Sequence, residues 1–162
     1  KKKFGQWFYE VKDFGFNFRL SDIHSALGIS QLNKLKKFVY KRNQIARHYD
    51  KSFKNLDCIK TPVVKKGFSH AFHLYPVLID FKKTKINKKK FFEKMIKVGI
   101  NLQVHYIPVY RQKFLKNFKF NKKFFPVTEE YYKREVSLPI YFSLKKDKID
   151  YVINQVKRVL KC

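Results

Sequence analysis

Two short stretches of this 162-residue chain carry side chains in patterns that suit chemistry. The first runs Gly15-Phe16-Asn17-Phe18-Arg19-Leu20-Ser21-Asp22-Ile23. On an extended strand, residues two apart project from one face, so the Asn17 amide and the Arg19 guanidinium point the same way. They stand just ahead of a helix start, whose free N–H groups attract a phosphate or a carboxylate. Spacing alone favours a plainer use, in which both side chains cap and pair locally. The second stretch is Gly99-Ile100-Asn101-Leu102-Gln103-Val104-His105-Tyr106-Ile107-Pro108-Val109-Tyr110. On a strand, Gln103 and His105 share one face, Tyr106 takes the other, and Pro108 stops the run. A His and a Tyr at a strand tip suit a ligand-facing edge. A strand end with solvated aromatics explains the pattern equally well.

Other tempting patterns fail on geometry. His70 and His73 stand three apart in a segment read as a strand, so they point to opposite faces and a shared metal is not expected. Glu129 and Glu130 are adjacent on a helix and do not face each other, and acidic residues in a first turn ordinarily complement the helix dipole. His24 reads as a packing residue one turn into a long helix. No nucleophile elbow, P-loop or dinucleotide glycine fingerprint occurs.

The elements that must position these residues follow from periodicity. Residues 1–20 read as irregular or extended, rich in aromatics and glycine. Ser21-Asp22 starts a helix, and Ile23, Ala26, Leu27, Leu32, Leu35, Phe38, Val39, Ile45, Tyr49 and Phe53 carry helical spacing through about residue 55. Gly28 stands where that helix would kink or divide. A strand is expected over 69–81, a helix over 86–98 ending at Gly99, and a second strand over 100–106. Further elements are a short helix from Thr128 to about Val136, an extended link at Pro139-Ile140-Tyr141 and a final helix over 147–160. Helices alternating with a few short strands define an α/β domain, a small sheet covered by helices on one side.

Composition narrows the class. Hydrophobic residues make up 44%, enough for a globular core. No apolar run reaches the roughly 18–20 residues that span a bilayer, and Lys1-Lys2-Lys3-Phe4-Gly5 is followed by no apolar signal segment. The lysine-rich start without an initiator Met leads us to expect a native chain that begins upstream. Cys58 and Cys162 show no CxxC or metal-ligand spacing, which argues against a disulfide framework and for a reducing compartment, the cytoplasm. The net charge of +26 points first to a polyanion. Yet only six of the 38 basic residues are arginine, the type that reads bases bidentately, and the lysines are scattered. Lys, Asn, Ile and Phe are abundant while alanine occurs three times, a pattern that A/T-rich codons alone produce. A nucleic-acid-binding module and a non-catalytic assembly domain stay open as alternatives.

Six blocks, in order along nearly the whole chain, carry a resemblance. They are Gly15 to Gly28, Gln31-Leu32, the set Arg42, Ile45, Ala46 and Tyr49, then His73-Leu74-Tyr75, Gly99 to Val109, and Ser137 to Tyr141. With them the chain resembles the C-terminal part of the DegT-type sugar-nucleotide aminotransferases, fold-type-I enzymes that use pyridoxal 5′-phosphate (PLP). The wording Val104-His105-Tyr106-Ile107-Pro108 looks most like members that aminate a UDP-linked 4-keto-6-deoxy hexose in the pseudaminic-acid pathway.

The resemblance implies a small C-terminal domain over 21–162, with a short, mainly antiparallel sheet covered by helices and a long linking helix. Residues 1–20 would form an arm towards a missing N-terminal large domain or a partner subunit. It implies transfer of an amino group from glutamate to a nucleotide-linked keto sugar, with PLP bound to a lysine and acting as electron sink. That lysine has no matching motif in this chain, so no catalytic residue is assigned and the chain alone is expected to be inactive. Asn17 would reach the cofactor phosphate of the other subunit in a homodimer with shared active sites. Arg19, His105, Tyr106 and Pro108 would border the substrate. No metal, membrane or nucleic-acid partner is implied. Lys145 departs from the pattern, standing where relatives often place a Thr or Ser cap.

Overall fold

A computed structural model describes residues 13, 15, 16, 18–113, 115 and 120–161. The chain divides into two compact units, Lys1–Leu35 and Lys36–Cys162. In the first, Phe16 and Phe18 tilt against each other with ring centroids 5.2 Å apart, yet both stay more than four-fifths exposed. Ser21 is the expected cap: its carbonyl accepts from Ser25 N at 2.9 Å, and its hydroxyl lies 2.7 Å from His24 Nδ1. His24 is therefore an exposed partner of the cap and not a packing residue. The helix that follows, α1 (Asp22–Phe53), is continuous through Gly28.

In the second unit α1 buries a stripe of Ile45, Ala46, Tyr49 and Phe53, one helical face. The sheet is antiparallel throughout, in the order β1 (Ile59–Lys60), β2 (Tyr75–Ile79), β3 (Glu135–Leu138). β2 sends Tyr75, Val77 and Ile79 into the core, and Val136 and Leu138 of β3 join them. The same core receives Phe91 and Met95 from α2 (Lys88–Lys97) and the apolar face of α4 (Lys146–Leu160). On the opposite face of the sheet, Leu78 shares an apolar hollow with Val127 and Tyr131 of α3 (Pro126–Arg134). Helices thus flank both faces, not one.

Three expected boundaries move, each for a local reason. The strand expected from residue 69 begins only at Tyr75, because Phe72 is left-handed (φ 44°) and gives its N–H to His70 Nδ1 at 2.9 Å. The helix expected to reach Val136 starts earlier, with Pro126 in its first turn, and ends at Arg134. Glu135 then turns extended and pairs with Leu78, opening a strand that the periodicity did not reveal. The strand expected over 100–106 shrinks to one bridge, Gln103 to Ser137. Its continuation is cut off because His105 N–H bonds a side-chain carboxylate, Glu135 Oε2, instead of a strand carbonyl.

Among the cysteines, Cys58 is buried and disulfide-bonded, contrary to the expectation that the cysteines build no disulfide framework. Cys162 lies outside the described residues. Among the described residues no helix is long and apolar enough to cross a membrane.

Candidate functional site

The segment that carries His105 is aimed by the end of α2. Gly99 is left-handed (φ 74°), and its N–H bonds Ile96 O at 2.9 Å while Ile100 N–H returns to Met95 O at 2.9 Å. This paired closure turns the chain sharply, with Ile100 and Met95 both buried beneath it. Leu102 is buried next, and Gln103 exchanges backbone hydrogen bonds with Ser137 at 2.9 and 3.5 Å. His105 is thereby held beside the start of β3.

Glu135 is fully buried and Ser137 nearly so, although both are polar. Residues two apart on a strand share a face, so the two side chains meet: Ser137 Oγ donates to Glu135 Oε1 at 2.7 Å. His105 closes the group, its N–H on Glu135 Oε2 at 2.9 Å and its Nδ1 2.7 Å from Ser137 Oγ. The buried carboxylate is satisfied on both oxygens, as a buried acceptor must be. A cleft of about 190 Å³ opens here, lined by His73, Asn101, Gln103, His105 and Ser137 among others. Its lining is mixed: these polar side chains stand beside Leu74, Leu138, Pro139 and Ile140, a surface that can take both the hydroxyls and the ring face of a small ligand.

The chain beyond His105 is fastened to α3. Tyr106 is 72% exposed, its ring edge-on to His105 at 4.6 Å, while Pro108 is buried and its carbonyl accepts from Arg111 N at 2.8 Å. Tyr110 stacks on Phe125 at 4.5 Å and donates to Glu129 Oε1 at 2.9 Å. Arg111 grips the Glu129 carboxylate through Nε and Nη2 and lies 5.0 Å from the Tyr132 ring. Those bonds, with desolvation working against them, push the Arg111 pKa further up. Lys88 of α2 donates to Tyr132 O at 2.6 Å, and burial draws its pKa down.

His105, Tyr106 and Pro108 therefore belong to one local structure in the second unit, while Arg19 is exposed in the first. Asn17 lies outside the described residues. Sequence reasoning missed Glu135, gave Ser137 only as the start of a resemblance block, and read Glu129 as first-turn dipole compensation. Strict polar–apolar alternation over Glu135-Val136-Ser137-Leu138 was the signal that could have found the first two. His70 and His73 both lie outside strands, and among the described residues no group of three or more His, Cys, Asp or Glu gathers as a metal set.

Residues 1–157 match the DegT/DnrJ/EryC1/StrS aminotransferase family, and the chain belongs to it. It is 35% identical over 159 residues to the UDP-4-amino-4,6-dideoxy-N-acetyl-β-L-altrosamine transaminase of Campylobacter jejuni, covering 94% of this chain and 42% of that protein. An uncharacterised protein of Methanocaldococcus jannaschii is 40% identical over 157 residues, covering 96% of this chain and 41% of that one. Among solved structures, the Helicobacter pylori aminotransferase PseC, involved in pseudaminic-acid biosynthesis, superposes with a TM-score of 0.84. It is 33% identical and covers 97% of this chain and 42% of its own. The fold is therefore that of sugar aminotransferases, and the chain spans about two fifths of the length of the relatives it matches.

Proposed function

We propose that this chain is the C-terminal part of a PLP-dependent transaminase that moves an amino group from glutamate to a nucleotide-linked keto sugar, UDP-4-keto-6-deoxy-HexNAc. The observation that carries this is the convergence at the His105 edge. The block Gly99 to Val109 and the block beginning at Ser137 meet through the Gln103–Ser137 bridge and the His105–Ser137 contact, and they line one cleft. The Campylobacter jejuni relative supports the substrate class, and the family supports the cofactor.

In this reading His105 and Tyr106 border the sugar, Pro108 shapes the loop, and Arg19 assists at the same site. Asn17 holds the cofactor phosphate of a partner subunit in a homodimer. PLP, when bound, supplies the electron sink that lets an amino group leave one carbon and join another. Its lysine belongs to a preceding large domain, so the chain alone is inactive. Residues 1–20 are the arm towards that domain or the partner, and 21–162 form the small domain. Cytoplasmic placement rests on the substrate class, because the Cys58 disulfide does not argue for a reducing compartment.

The test is made on the full-length protein. Purified from cells, it shows cofactor absorbance and aminates UDP-4-keto-6-deoxy-HexNAc with glutamate, while the 162-residue chain does neither. Absence of both properties in the full-length protein refutes the proposal.

A further inference from the structure

The Glu135–Ser137–His105 group contains a proton count that fixes more than position. As a carboxylate, Glu135 has only acceptors to offer. Its Oε2 takes the backbone N–H of His105, a donor that cannot rotate away, and its Oε1 takes the single proton of the Ser137 hydroxyl. That hydroxyl has no second proton for His105. At 2.7 Å from Nδ1 it acts as an acceptor, so Nδ1 must carry the hydrogen. In the neutral ring Nε2 is then the bare, accepting nitrogen, and among the described residues it has no hydrogen-bond partner. His105 also lines the 190 Å³ cleft.

We infer that Glu135 and Ser137 are positioning residues that hold His105 in its Nδ1–H form, so that Nε2 selects a ligand offering a hydroxyl or amide N–H donor. That the ligand is a sugar rests on the transaminase reading; the tautomer stands on the geometry alone. Burying a carboxylate here costs desolvation, and the return is a defined donor–acceptor pattern at the ring.

The inference makes a sharp prediction for Glu135→Gln. The amide oxygen must take the fixed His105 N–H, so the amide NH₂ faces Ser137 Oγ and donates to it. The hydroxyl proton is then released towards Nδ1, and the ring proton moves to Nε2. The substitution inverts the tautomer without removing a side chain. Ser137→Ala frees Nδ1 and mixes the two forms, and Ser137→Thr restores the Nδ1–H form.

The experiment uses the full-length protein with ¹⁵N-labelled histidine, the ring titrated to its neutral form and His105 assigned by His105→Gln. The expected wild-type spectrum has a pyrrole-type Nδ1 and a pyridine-type Nε2, reversed in Glu135→Gln. The KM for the UDP-keto sugar rises about tenfold in Glu135→Gln, the loss of one hydrogen bond, with a smaller change in kcat. A wild-type pyridine-type Nδ1, or an unchanged pattern in Glu135→Gln, overturns the inference whatever the activity. An inverted tautomer with unchanged KM overturns the ligand role. The expected tautomers in a full-length protein that turns over no nucleotide sugar refute the transaminase reading and leave the relay standing.

Discussion

Tyr75, whose ring packs against Tyr49 at 5.0 Å, reaches the edge of the core and places its hydroxyl 2.5 Å from Oδ1 of the half-buried Asp50. Burial, and then the hydrogen bond to Asp50, hold the Tyr75 pKa well above the tyrosine range; burial does the same to Tyr49 and also raises the pKa of Tyr131. A raised folded pKa means that the native state keeps a proton which the unfolded chain releases above about pH 10. The stabilisation is whole below that value and is lost as pH rises beyond it. Lys88 has the opposite sign: its lowered pKa is a cost that fades as pH climbs through the window just below the ordinary lysine value. Thermal unfolding from pH 7 upward should therefore show a plateau and then a fall above about pH 10. Tyr75→Phe should be about 1.5–3 kcal/mol less stable at pH 7, through loss of a hydrogen bond to a carboxylate, with a shallower alkaline fall. An unchanged alkaline slope would refute the assignment. At this scale residue type and spacing nominated His105 and Tyr106, and the family resemblance added Pro108. Neither nominated Glu135, whose link to His105 spans 30 positions and exists only because of strand register.

The elements show where periodicity is legible. The faces of α1, α2 and α4 were readable because apolar side chains recur at helical spacing over two or more turns. β3 was not, since it has four residues, all buried, two of them polar and serving the His105 site. Two predictions belong here. Lys145 is the N-cap of α4 and makes no side-chain capping bond. Lys145→Ser should cap a free N–H, remove a cation from the positive helix end, and raise stability by about 0.5–1.5 kcal/mol in denaturant unfolding. No gain would mean that the helix start is already satisfied. The second concerns the loop beyond Pro108, which the Tyr110–Arg111–Glu129 cluster ties to α3. Glu129→Ala leaves the half-buried Arg111 guanidinium without that carboxylate and should cost about 1.5–3 kcal/mol. Limited proteolysis should cut first within 109–113, ahead of the core. A cut pattern identical to wild type would show that the cluster does not hold the loop.

At the scale of the whole molecule, α1 changes character along its length. In the second unit it buries one stripe, but in the first its Ile23, Leu27, Ile29, Leu32 and Leu35 are 82, 57, 65, 71 and 49% exposed. At about 100° per residue these positions do not form a stripe; they surround the helix. Large apolar side chains on several sides of one helical segment suit a place that other structure covers. Phe16, Phe18 and Leu20 of the same unit are exposed as well. The sequence reading expected residues 1–20 to pack against something else, but the apolar surface continues to Leu35, because helical spacing alone does not say which side of a helix finds a partner. If the chain is part of a longer transaminase, these side chains are buried in the full-length protein and bare in this one. Leu27→Gln together with Leu32→Gln should then lower the stability of the full-length protein by several kcal/mol, as buried leucines do. In the 162-residue chain the same pair should shift unfolding by no more than about 0.5 kcal/mol per site and reduce self-association at high concentration, measured by sedimentation velocity. Equal effects in the two proteins would show that this half of α1 meets nothing further, and the fragment reading would fall with it.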